Sequence, residues 1–172
     1  MLQRTYDERR ALLIITGIII ALAGLMMLAA QTVPGAAQPP AKPSAANKCP
    51  VCGMFVAGFP DFLAAVVFQD GAVAHFDGCK DMFRFLFDVG RYAPGRTRAD
   101  VASVWVTDYY SLQWIDGSAA FFVRGSDVLG PMGRELIPLG KESEAKEFMK
   151  DHGGESLFRF AEITPDVLKG LD

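Results

Sequence analysis

The stretch Phe62–Leu86, "FLAAVVFQDGAVAHFDGCKDMFRFL", decides how this chain folds. Two apolar runs flank Asp70-Gly71, a dipeptide that favours the tight turn of a β-hairpin. Asp77 then stands where a helix N-cap is expected, opening a helix from about Cys79 to Val89. Cys79, Met82, Phe83 and Leu86 lie at i, i+3, i+4 and i+7, the apolar stripe of that helix. Working outward, "VASVWVTDYY" (Val101–Tyr110) and "AAFFVRG" (Ala119–Gly125) read as further strands. "ESEAKEFMKDHGG" (Glu142–Gly154) reads as a helix with Ala145, Phe148, Met149 and His152 on one face, ended by Gly153-Gly154. "ESLFRFAEI" is a short strand, and Thr164 to Leu171 reads as a terminal helix with Pro165 in its first turn. Strand pairs followed by helices, twice over, predict an α+β domain with two loosely similar halves.

The chain has 172 residues, enough for one compact domain and an appendage. Its net charge of −3 is unevenly spread: residues 1–48 carry five Lys/Arg against two Asp/Glu, and the remainder twelve against eighteen. An acidic domain without a basic run does not suit nucleic acid, whose phosphates need clustered Lys and Arg. Ala11 to Ala30, "ALLIITGIIIALAGLMMLAA", is free of charge and long enough to cross a bilayer as a helix. It exceeds the apolar core of an ordinary cleavable signal, so an uncleaved anchor is expected, with alanines near Ala29, Ala30, Ala36 and Ala37 as the alternative cleavage region. Arg4, Arg9 and Arg10 precede it, and no basic residue occurs in 31–40. The positive-inside bias therefore keeps residues 1–10 cytoplasmic and sends the rest across the bacterial inner membrane into the periplasm. Residues 31–48, rich in Pro and Ala, read as a semi-extended linker, leaving 49–172 as the domain.

That domain opens with "NKCPVCGMFVAGFPDF" (Asn47–Phe62). Three readings of Cys49-x-x-Cys52 compete. A structural zinc site needs four ligands, and with no second C-x-x-C it would call on His75 and Cys79. A thioredoxin-like dithiol sits before a helix, whereas Gly58 and Pro60 spoil one here. Soft-metal binding is the third: thiolate with thioether selects Cu(I), and Met54 follows Cys52 by two residues, across Gly53. A thioether also needs no deprotonation to bind.

Met132, in "GSDVLGPMGRELIP", is a second candidate, since a loop methionine between Pro131 and Gly133 has little core to fill. Each candidate has a plainer reading. Met54 would start a strand and Met132 would fill a gap. Cys79 and Met82 fall on the buried stripe of a helix, and His75 sits at a strand end on the face opposite Phe76. His152 stands at a helix C-terminus, and Asp61, Asp70, Asp77 and Asp108 resemble turn and cap residues. An exported C-x-x-C is also open to oxidation, which would leave Cys79 as the odd thiol. No Ser-His-Asp order, phosphate loop or carboxylate pair points to catalysis.

Together, "CPVCGM", "FDGCKDMFRFL", "VTDYYSL", and "GSDVLGPMGRELIP" followed by a helix and "DHGG" resemble the NosL family, accessory proteins of nitrous oxide reductase, from Cys49 to about Leu171. The resemblance implies two ββαβ-type halves, related to organomercurial lyase, preceded here by one transmembrane helix. It implies a membrane-attached, periplasm-facing Cu(I) chaperone that is not an enzyme. Copper would come from a periplasmic or membrane donor and pass to nitrous oxide reductase or another copper enzyme. Its metal ligands map onto Cys52, Met54 and Met132, with Cys49 a weaker carry-over. Short C-x-x-C-G-M modules followed by F-x-x-C-K-D-x-F are similar to the opening block and keep Cys79 as a fourth sulfur. Many relatives are lipoproteins, whereas this chain has no cysteine before Cys49 and carries the apolar run instead. The rivals are a zinc-stapled interaction domain and a thiol oxidoreductase or carbon–metal lyase, neither of which needs Met132.

Overall fold

The computed structural model describes residues 38–171. The expected cytoplasmic N-terminus, the transmembrane helix over 11–30 and the first part of the linker lie outside the described residues. No described helix is long and apolar enough to cross a membrane.

The hairpin forms where Asp70-Gly71 predicts it. Strands β1 (Ala64–Phe68) and β2 (Val73–Phe76) pair antiparallel with Ala64 opposite Phe76. Gly71 takes the left-handed backbone the turn requires, at φ 83°, and Asp70 accepts the Ala72 amide at 3.1 Å. Helix α1 (Cys79–Phe87) follows, stopping two residues earlier than expected at Asp88, and a single helical turn, α2 (Val89–Tyr92), continues beyond it. Strand β3 (Val101–Thr107) returns to the far side of β1, and β4 (Trp114–Asp116) adds the edge, for an order β2-β1-β3-β4.

The second half repeats this plan. β5 (Phe121–Arg124) is followed by a small hairpin of β6 (Leu129–Gly130) and β7 (Gly133–Arg134), then β8 (Ile137–Leu139), α3 (Glu142–Asp151) and β9 (Ser156–Arg159). The order β8-β5-β9 places the returning strand beside the first, as β3 lies beside β1. Where a terminal helix was expected over Thr164 to Leu171, the chain makes consecutive turns, closed by Val167→Thr164 and Leu171→Leu168 amide bonds. Gly170, at φ 80°, breaks the helical path there, while Leu168 and Leu171 are buried.

Helix α1 joins the halves. Phe85 meets Phe76 of the first sheet edge-on at 5.1 Å, and Phe83 meets Phe122 of β5 in the same way at 5.1 Å. Alternation along β5 sends Phe122 to this cluster, and Phe121 and Val123 to a second one with Ala145 and Phe148 of α3. The outer face of the first sheet carries His75, whose Nε2 lies 3.1 Å from the Ala41 carbonyl.

The start of α1 is held from a distance. Asp77 does not cap it; the N-cap is Gly78, which has no side chain to offer. Instead the buried Glu135, between β7 and β8, accepts the Lys80 amide at 2.6 Å and the Leu136 amide at 2.8 Å through Oε1. A Cβ at Gly78 would collide with Glu135 Oε2, so only glycine allows this approach.

Two outcomes are expected. Phe83→Ala should lower the unfolding free energy by about 3–5 kcal/mol in a denaturant titration, as for other buried aromatic truncations; a loss below about 1 kcal/mol would contradict its role between the sheets. Burial raises the Glu135 pKa to about 7 from 4.5. The folded state therefore holds a proton that the unfolded chain has released, and stability should fall as pH rises from 4.5 to about 7. Glu135→Gln should remove that slope in urea midpoints measured against pH.

Candidate metal centre

Residues 47–56 form a compact knuckle. Lys48 bridges Phe55, the Cys49 amide donates to the Met54 carbonyl at 2.8 Å, and the Gly53 amide donates to the Cys49 carbonyl at 2.9 Å. Gly53 lies at φ 80°, the left-handed residue that lets the chain reverse directly after Cys52. Cys49 is 1% exposed and packs into the main core, while Cys52 is half-buried.

Opposite the knuckle lie Asp77, just past β2, and Asp81, in the first turn of α1. Both carboxylates are buried. Cys52 Sγ donates to Asp77 Oδ1 at 3.2 Å and Cys49 Sγ donates to Asp81 Oδ2 at 3.4 Å. Among the described residues, one ligand atom from each of these four lies within 4.8 Å of the others. Arg84 holds the second oxygen of Asp81 at 3.1 Å. Asp77 Oδ2 is buried and has no hydrogen-bond partner among the described residues. An orphaned carboxylate oxygen is costly to bury, and a cation seated among the four groups relieves that cost.

The thiols hold their protons. Burial pushes Cys52 up to about 11 and Cys49 higher still, with the facing carboxylates adding to both shifts. A metal must displace those protons to bind sulfur. Two thiolates beside two carboxylates thus offer soft sulfur with oxygen ligands and counter-charge at its edge.

The other expected ligands have their own places in the fold. Met54 is half-buried and fixed to Cys49 through its carbonyl. Met132, 46% exposed, occupies the turn between β6 and β7, and its carbonyl accepts the Lys80 ammonium at 2.9 Å. Cys79 and Met82 lie in the apolar core, on the stripe their spacing implies. His75 faces Ala41 and is not a member of the four-residue group. Asp77 and Asp81 escaped the sequence reading because Asp77 also suits a helix cap. Asp77 also precedes the extended N-cap Gly78, so the helical i, i+4 rule could not pair it with Asp81.

Comparisons with known proteins bear on the family of the chain. The family described as NosL matches residues 40–168. The copper-binding lipoprotein NosL of Stutzerimonas stutzeri is 30% identical over 131 residues, 72% of this chain and 65% of that protein, so the chain spans just under two-thirds of that relative's length. The crystal structure of the copper chaperone NosL from Shewanella denitrificans matches with a TM-score of 0.66 at 26% identity, covering 76% of this chain and 99% of that one. With the knuckle, the two carboxylates and both sheets inside the matched span, this chain belongs to the NosL family.

Proposed function

We propose that this protein is a Cu(I) chaperone, tethered to the bacterial inner membrane with its domain in the periplasm, that supplies copper for the copper–sulfide centre of nitrous oxide reductase. The observation that carries the reading is the thiol–carboxylate group of Cys49, Cys52, Asp77 and Asp81. One NosL relative is a copper-binding protein and another a copper chaperone, which supports the choice of metal. A lipoprotein relative supports membrane attachment, which the apolar run over 11–30 provides here by another route.

Cys52 is the primary ligand in this reading, because it is the more accessible thiol. Met54 and Met132 add thioethers that bind without proton release, and Cys49 completes the sulfur set. The ion stays at the protein's edge, where a partner's ligands can replace these one at a time. A donor in the membrane or periplasm loads the site, and nitrous oxide reductase or another copper enzyme unloads it. No substrate is transformed, so the protein is a carrier and not an enzyme.

A zinc staple is the rival that the carboxylates favour, since oxygen ligands suit a borderline ion better than Cu(I). Its weakness is that the core is already closed by aromatic contacts around α1.

An anaerobic titration of the reduced full chain in detergent, against a chromogenic Cu(I) chelator, separates these readings. One Cu(I) per chain is expected, with affinity falling about a hundredfold in Cys52→Ser and about tenfold in Met54→Ala or Met132→Ala. Binding that prefers Zn(II) and ignores both methionine changes would sink the chaperone reading. Burial pushes the Cys52 thiol up to about 11, so binding through its sulfur releases a proton. Apparent Cu(I) affinity should therefore fall at least about tenfold per unit as pH drops from 8 to 6; a flat profile would exclude a thiolate ligand.

A further inference from the structure

The exposed turn that carries Met132 is bonded to a buried lysine. Lys80, only 2% exposed, lies on α1 between Cys79 and Asp81. Its ammonium donates to the Met132 carbonyl at 2.9 Å and to the Leu171 carbonyl at 2.7 Å. Its amide donates to Glu135 Oε1 at 2.6 Å. One residue thus grips both ends of the segment 132–135. We infer that Lys80 is a positioning residue for Met132, fixing the turn so that its thioether stands at a set place relative to α1.

The turn itself lies at the surface. Its hairpin is four residues of strand, and Leu129 and Met132 are both exposed, 62% and 46%. Gly130 and Gly133 flank the turn, with Gly133 at φ 85°, so backbone stiffness comes only from Pro131. A methionine on such a turn would sample many positions, and a ligand that must be collected at each binding event lowers affinity.

A buried ammonium is a poor way to fill a core, because an apolar side chain of equal size usually packs as well without desolvating a charge. What the lysine does that leucine or methionine cannot is bond a carbonyl at a distance, at the end of a long side chain. Through Lys80, the position of Met132 is referred to α1, the same helix that presents Asp81 to Cys49.

This inference rests on Met132 being a copper ligand, and the experiment separates the two. Cu(I) competition against a chromogenic chelator would be run on the full-length protein, with Lys80→Met, Met132→Ala and the double variant. Lys80→Met should weaken Cu(I) about tenfold, and in the Met132→Ala background it should add no further loss. X-ray absorption of copper-loaded Lys80→Met should show fewer sulfur scatterers than wild type. Because Lys80 also holds Leu171, Lys80→Met can fail to fold; Pro131→Gly then loosens the same turn from its exposed side and should weaken Cu(I) in the same direction. Met132→Ala weakening Cu(I) while Lys80→Met and Pro131→Gly leave it unchanged would overturn the positioning role alone. No effect of Met132→Ala would overturn both.

Discussion

The carboxylate of Glu135, seated on the amide of Lys80, is the contact on which the geometry of the site depends. It brings a segment from the second half to the first turn of a helix in the first half. Without it, the start of α1 would lack a side-chain cap, a loss typically worth about 1 kcal/mol. The glycine at position 78 is the condition for that approach, because any side chain there would occupy the space of Glu135 Oε2. Asp81 and Lys80 both stand on the turn so fixed. The carboxylate facing Cys49 and the ammonium holding Met132 therefore share one anchor.

This arrangement also explains why Asp77 is free to serve the thiols. An aspartate just before a helix ordinarily accepts amides of the first turn. Here its Oδ1 accepts Cys52 Sγ–H, and its Oδ2 is buried with no hydrogen bond among the described residues. The cap has been moved to another part of the chain, and the local carboxylate has been released for chemistry. A buried acceptor left open in this way is unfavourable for stability alone, which is why the pocket is best understood through what it binds.

Much of this was legible in the sequence. The Asp70-Gly71 hairpin, the stripe Cys79-Met82-Phe83-Leu86 and the α3 pattern ending in Gly153-Gly154 are local signals, and the elements form where they lie. The knuckle thiols were visible from their spacing and from Gly53. The strands β6, β7 and β8 were not, because two or three residues cannot show a period. The terminal turns were mistaken for a helix because Pro165 suits a first turn, while Gly170 so close behind leaves no length for propagation. Glu135 was invisible for a different reason: its partner Lys80 is 55 positions away, and nothing in the local pattern of either residue reports the other.

The Lys80–Leu171 bond spans 91 residues. The rings that cover α1 likewise come from Phe122 and Phe160, long after Cys49 and Cys52 in the chain. The thiols' own partners are nearer: Asp77 is 25 positions from Cys52, and Asp81 is 32 from Cys49. Contacts of small separation form early, because the loop between them closes at low entropic cost. In the order of synthesis, then, the thiol–carboxylate group can come together from the first half of the domain, while the clamp on the Met132 turn waits for chain made 52 and 91 positions after Lys80. The site is assembled in two instalments, with its thiols meeting their carboxylates before its exposed methionine is set in place.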